Sequence, residues 1–487
     1  MIKNERQYRI TKAQIDRFVR ALEQLAEQSD PSQQVHPILQ KAQADALRSQ
    51  LNELLRQIEE YDALKSGQRI VLELESIEEL PSALIKARIA AGFTQKELAE
   101  RLGLKEQQIQ RYEDTEYASA SLTRLVEVSK VLRLKLREDV FLPSSQASLV
   151  NLFKRIEQVG IDRNFVLRRL LPQSVATNLQ IERLTEEEES SLVFRVAILL
   201  QRVFKLAPAE VFSSSPLQLN TAAVGTARFK VTARTDERRL SAYTLYAHFL
   251  ALLLLDTTSD LSKNPIPTDA KQVREAIIST YGSVTFENTV RYVWSLGVPV
   301  LPLKDPSAFH GAFWRVGGRN VIVLKSQTSS AARWLFDLLH ELFHASREPN
   351  LDQRTVVEAE ETAIERRESQ EEIEVNLEAG NVVLGGRAEE LSQMCVEAAN
   401  GSVERLKKVV PQIANREKVS VDLLANYMAF RLSLQGINWW GAATNLQTTG
   451  QNPWQIARDV LLEQTNFGRL NEVERNLLLQ ALSDLEN

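Results

Sequence analysis

His340-Glu341-Leu342-Phe343-His344 carries the plainest chemistry in this chain, which has five histidines among its 487 residues. On an α-helix, positions i and i+4 project from one face a turn apart, so both imidazoles can reach one metal ion. Glu341 stands between them, close enough to take a proton from a water activated at that ion. A catalytic zinc uses three protein ligands and keeps a fourth position open, so one ligand must come from elsewhere. Downstream, Glu371, Glu374 and Glu378 share one helical face, and spacing alone does not choose among them. The chemistry expected is hydrolysis of a peptide bond, in which Glu341 takes a proton from water and passes it to the leaving nitrogen. Two imidazoles and a carboxylate suit Zn2+ best, with Mn2+ or Fe2+ as alternatives.

These groups need elements to hold them. Apolar spacing places His340 and His344 on a helix from about Ser329 to Ser346, ending before Pro349. Before it come three β-like runs, Val298 to Leu303, Gly311 to Val316 and Asn320 to Leu324. Gly317-Gly318-Arg319 reads as a hairpin connection, which makes the last two antiparallel. Helical patterns over Leu240 to Leu255 and Lys271 to Leu296 precede the strands, and the acidic run Glu358 to Glu374 reads as a mostly solvated helix face.

A second constellation lies nearer the N-terminus. Residues 80–137 hold eleven Lys and Arg against seven Asp and Glu, a local positive excess in a chain of net charge -5. Thr94 and Glu97 form a capping box, Ala99 is small enough for a close helix crossing, and Gly103 permits a left-handed turn. The next helix, Lys105 to Glu113, buries Ile109 and Tyr112 and exposes Gln107, Gln108, Gln110 and Arg111. Glutamine can pair with adenine and arginine with guanine in the major groove, so a helix-turn-helix is expected. N-terminal to it, Thr11 and Gln14 suggest a helix start. Leu47, Leu51, Leu54, Ile58 and Tyr61 are spaced as a short coiled-coil seam or as one face of an ordinary helix. Gln68 to Leu74 reads as a short strand or an extended link.

The residues carry two resemblances. Leu84-Ile85-x-Ala87-Arg88, the capped helix from Thr94, Arg111-Tyr112-Glu113 and the closing helix Ser121 to Leu132 resemble the Cro/cI-type (XRE-like) helix-turn-helix family. By position in that family, Gln95 and Lys96 would touch phosphate, while Gln107, Gln108 and Arg111 would face bases. Lys105 stands where the family often has a Ser or Thr cap, and adds a phosphate partner. Strand, hairpin, Arg333-Trp334-Leu335-Phe336 and H-E-L-F-H, followed by Glu374-Val375-Asn376, resemble the ImmA/IrrE family of zinc metallopeptidases over residues 240–435. That resemblance implies Glu374 as the third ligand beside His340 and His344, with Glu341 the catalytic base. His310 and Tyr427 fall within the peptidase-like span and are candidates for steadying an oxyanion. The family usually has an aromatic residue at Glu378, a proline near Gly385 and a small residue at Phe343.

The whole chain bounds these readings. At 487 residues it exceeds one ordinary core, and 25% charged residues at net charge -5 argue against a chain that coats nucleic acid throughout. A single cysteine, Cys395, excludes an intrachain disulfide and a thiolate metal cluster. The polar start MIKNERQYRI lacks the apolar run of a signal peptide, and Ala242 to Leu255 is too short to span a bilayer. A cytoplasmic protein without a membrane partner is expected.

The fold class expected is mainly α and multidomain, with a helical N-terminal region (1–66) and a five-helix-type helix-turn-helix domain (67–140). A helical connecting region (141–235), an α+β zincin-like domain with a small antiparallel sheet (236–435) and a C-terminal helical tail (436–487) follow. The function expected is a DNA-binding transcriptional regulator with a zinc-dependent endopeptidase domain. It would cleave a partner repressor, or itself, to control a stress or mobile-element locus. The alternative is a repressor or antitoxin-like protein whose peptidase-like part is a non-catalytic binding or sensing module. The partners expected are a double-stranded DNA operator, a repressor or antitoxin-like protein substrate and, for a palindromic site, a second copy in a homodimer.

Overall fold

The computed structural model describes the chain except for residues 28–36, 68–71, 73, 75–76, 136–147, 177–183, 225–236, 306–308, 326–327, 360–369, 449 and 485–487. The expected strand over 68–74 therefore lies mostly outside the described residues. The chain is mainly helical with one small sheet, and it divides into two compact units, Met1–Val140 and Phe141–Asn487.

In the first unit, helices α1 (Glu5–Glu27) and α2 (Pro37–Lys65) lie side by side. They run antiparallel, since Lys65 at the end of α2 pairs with Glu5 at the start of α1 and the Tyr8 hydroxyl donates to Asp62. Thr11 does not cap α1, contrary to expectation. The helix starts about two turns earlier, where Asn4 Oδ1 accepts the Gln7 N–H at 3.0 Å and Gln7 Oε1 accepts the Lys3 N–H at 2.8 Å. Leu47, Leu51, Leu54 and Ile58 are half-buried on α2.

Helices α3 (Leu80–Ala90), α4 (Gln95–Leu102), α5 (Glu106–Asp114) and α6 (Leu122–Val131) follow. Their boundaries are written locally. The Thr94–Glu97 box opens α4, Gly103 closes it at φ 66°, and the Ser121 hydroxyl caps α6. Leu84, Ile85, Leu98, Ile109 and Val128 are fully buried in one core that also takes in Ile2, Tyr61 and Leu64. The N-terminal hairpin and the four helices thus share one core.

The second unit holds a four-stranded sheet of β1 (Val300–Leu303), β2 (Phe309–Val316), β3 (Arg319–Lys325) and β4 (Arg354–Ala359), in the order β1-β3-β2-β4. Gly317 and Gly318, at φ 56° and 67°, make the two-residue turn that joins β2 and β3 as an antiparallel hairpin. Contrary to the expected antiparallel sheet, β1 runs parallel to β3, so the sheet is mixed. Its fourth strand, β4, pairs antiparallel to β2 with a register irregularity between Phe309 and Gly311.

Two helices pack against β2 and β3: Glu237–Thr257 and Ala331–Ser346, the latter called here the histidine helix. Alternation along β2 assigns the faces. Trp314 meets His248 of helix Glu237–Thr257, while Gly311 and Arg315 meet the histidine helix. With both faces covered, the strands read as nearly continuous apolar runs. Helix Glu237–Thr257 is long and apolar enough to cross a membrane, yet Tyr246, Leu250 and Leu254 along it are fully buried in the core.

A further helix, Gln370–Leu384 (the glutamate helix), packs along the histidine helix. Leu152 and Val196 of the region before the sheet, and Trp454 and Leu478 near the C-terminus, belong to the same core as the sheet. The connecting region and the C-terminal helices are therefore packed into the body that holds the histidines.

Candidate metal centre and helix-turn-helix

The histidine helix is held at both ends. At its start the Ser330 hydroxyl accepts the Arg333 N–H at 3.1 Å. At its end two arginines add side-chain donors to backbone carbonyls in and just beyond the last turn, where the helix supplies few of its own. Arg315 donates to Ala345 O at 2.7 Å and to Glu348 O at 2.5 Å, and Arg354 donates to His344 O at 2.5 Å. Arg315 and Arg354 sit directly opposite each other on β2 and β4. Like charges so placed normally repel, but here both face the negative end of a helix dipole.

His340 and His344 point together, with their Nε2 atoms 3.1 Å apart. The carboxylate that joins them belongs to Glu372. Its Oε2 lies 3.5 Å from His340 Nε2 and its Oε1 3.5 Å from His344 Nε2, and all three residues are buried. Ligand atoms about 2.0–2.1 Å from a tetrahedral zinc are separated by about 3.4 Å, so the three groups are spaced to hold such an ion. The donor set fits as well: a carboxylate only 8% exposed beside two imidazoles gains from a cation that replaces its lost hydration.

Glu374 is not in this cluster. Half exposed, it accepts from Arg347 at 3.1 Å and from Gln370 at 2.9 Å. The other shortlisted glutamates have separate duties. Glu371 Oε1 meets His344 Nδ1 at 2.9 Å, and Glu378 accepts the Ala270 N–H at the start of helix Ala270–Tyr281. Hydrogen bonds from His344 and then Arg354 hold the Glu371 carboxyl down at about 2. One signal for Glu372 was present in the sequence: it extends the buried stripe Val375, Ala379, Val382 and Val383 by one turn toward the N-terminus. Glu371, Glu374 and Glu378 share a different face of the same helix.

Glu341 is 1% exposed, and its carboxylate lies against Gly311 of β2, where an added Cβ would fall 2.3 Å from Oε1. Gly311 is thus needed for space, next to the irregularity in β2. The Tyr427 hydroxyl donates to Glu389, and its ring packs on Gly380 of the glutamate helix. The side chain of His310 lies outside the described residues.

In the first unit, Arg88 and Glu113 form a buried bidentate pair at 2.5 and 2.8 Å. Arg88 also donates to Phe93 O and Lys3 O, and Gln95 Nε2 donates to Glu113 Oε2 at 2.7 Å. One carboxylate at the end of α5 thereby fixes α3 and α4 against it. Lys96, Lys105, Gln107, Gln108 and Arg111 are exposed. Gln108 Oε1 accepts the Lys105 N–H at 3.2 Å, the reciprocal half of a capping box, while Lys105 itself offers no side-chain acceptor to the first turn. Gln95 and Gln110 are half-buried, the latter bonded to Glu106 at 3.0 Å.

A family model described as helix-turn-helix matches residues 84–138, a span that takes in most of α3 and all of α4, α5 and α6. The chain therefore carries an XRE-like helix-turn-helix DNA-binding domain. No curated protein and no solved structure matches the chain.

Proposed function

We propose that the protein is a DNA-binding transcriptional regulator whose second unit is a zinc-dependent endopeptidase. The observation that carries the second half is the convergence of His340, His344 and Glu372 within one buried cluster, next to the buried Glu341. Zinc held there would polarise a scissile carbonyl and make water more acidic. Glu341 takes the proton of that water and delivers it to the leaving amine. Gly311 gives its carboxylate room beside the sheet, and the two arginines keep the histidine helix seated. The helix-turn-helix anchors the chain at an operator, with Gln107, Gln108 and Arg111 toward bases and Lys96 and Lys105 toward phosphates. The N-terminal hairpin supplies the homodimer that a palindromic site needs. The protein substrate is a partner repressor, or the chain itself.

The test is metal analysis of the purified chain, followed by incubation with candidate repressors. Zinc near one equivalent, with cleavage by the wild type and a loss of about 100-fold or more in Glu341→Gln, is the expected result. Zinc without cleavage of any partner, equally in both proteins, would leave a sensing or gripping module in place of the peptidase.

A further inference from the structure

Arg354 reaches one histidine by two routes, one direct and one through Glu371. Its Nη1 donates to the backbone carbonyl of His344 at 2.5 Å, and its Nη2 donates at 2.5 Å to Glu371 Oε1, the same oxygen that meets His344 Nδ1 at 2.9 Å. The remaining guanidinium nitrogen, Nε, lies 3.0 Å from Glu348 Oε2. All three nitrogens are therefore used, in directions fixed by the planar fork. Arg354 is mostly buried, with its side chain 11% exposed, and its backbone opens β4 at the register position opposite Arg315.

We infer that Arg354 and Glu371 are positioning residues for the metal ligand His344, an inference that rests on the metal-site reading above. An imidazole can turn about two side-chain bonds and can carry its proton on either nitrogen. Glu371 Oε1, 2.9 Å from His344 Nδ1, accepts a proton there and so leaves the Nε2 lone pair facing His340 Nε2 and Glu372. Arg354 fixes where that carboxylate sits and, through the His344 carbonyl, where the residue's own backbone sits. Ring and main chain of one ligand are thus referred to a single rigid group on the sheet. An ammonium in the same place would keep the positive charge but could not reach the carbonyl, Glu371 and Glu348 together. The pairing also accounts for an arginine at a position where it faces another arginine: both guanidiniums hold the histidine helix, and one reaches on to the ligand.

The test is zinc affinity of the full chain, stripped of metal and titrated against a chromophoric chelator, together with the nitrogen NMR shifts of 15N-labelled histidine. Glu371→Gln is expected to weaken zinc binding about 10- to 100-fold, and Arg354→Lys to weaken it as much although charge is conserved. The apo wild type should show one histidine with its proton on Nδ1, and Glu371→Ala should shift that population toward Nε2–H. Thermal unfolding of each variant separates loss of positioning from loss of the fold. Folded Glu371→Gln and Arg354→Lys proteins with zinc affinity within twofold of wild type would overturn the inference while leaving the metal site standing. Full affinity in Arg354→Lys alone would reduce the residue to a charge and overturn its positioning role. A wild-type chain that binds no zinc would overturn both the inference and the reading it rests on.

Discussion

The two units solve the placing of functional side chains in different ways. In the helix-turn-helix, the placing is set within the twenty-six residues from Arg88 to Glu113 by a capping box, a left-handed glycine and one buried ion pair. In the second unit the candidate ligands come from two helices, and their separation depends on how those helices meet and on a sheet that caps one of them. Local rules suffice for the first arrangement, whereas the second needs the packed body. The lesson is that short-range signals predict a recognition helix well but identify only the part of a metal centre that lies on one helix.

The sharpest way to break this contrast is at Glu113. Replacing it with Gln leaves the buried Arg88 guanidinium without its counter-charge, at a cost of about 3–5 kcal/mol. Loss of operator affinity with unchanged zinc content, read by gel shift and metal analysis, is expected if the two units hold their sites independently. Next in size is the pair Glu372→Gln and Glu374→Gln. The first is expected to lower zinc affinity by at least about 100-fold and the second by less than about twofold. Equal effects would return the third ligand to the polar face.

A smaller effect concerns pH. Burial against Trp314 holds the His248 imidazole down at about 4, against an ordinary 6.5. The unfolded chain takes up this proton below pH 6.5 and the folded chain refuses it, so stability falls as pH drops from 6.5 toward 4. The loss reaches about 2–3 kcal/mol and is absent in His248→Phe. Urea unfolding at pH 7 and 4.5 measures it, and the first unit should be indifferent to the substitution. Smallest is the split within α5 and α4. Arg111→Ala should erode base preference by about 1–2 kcal/mol, while Lys96→Ala weakens all DNA alike and lowers the salt slope by about one. A uniform effect from both would place Arg111 on phosphate.

Much of the fold was legible, for particular reasons. Gly317-Gly318 between two apolar runs gave the β2–β3 hairpin, because only glycine accepts the positive φ of that turn without strain. β4 was not foreseen: Arg354 to Ala359 is six residues long and shows no strict alternation, and its pairing to β2 is long-range. The start of α1 was misplaced because Thr11 and Gln14 imitate a cap that Asn4 and Gln7 provide in the folded chain. The parallel partner of β3 was likewise invisible, since direction is a property of the connection rather than of the strand.

Sequence by itself settled the shared face of His340 and His344 and the capping box and glycine stop of α4, because each is a matter of helical period and local hydrogen bonds. Only the tertiary structure decided that Glu372 rather than Glu374 approaches the histidines and that the Nε2 atoms of His340 and His344 face each other. Two positions along a helix amount to about 200° of rotation, so the choice between those carboxylates is fixed by which face of the glutamate helix packs against its neighbour.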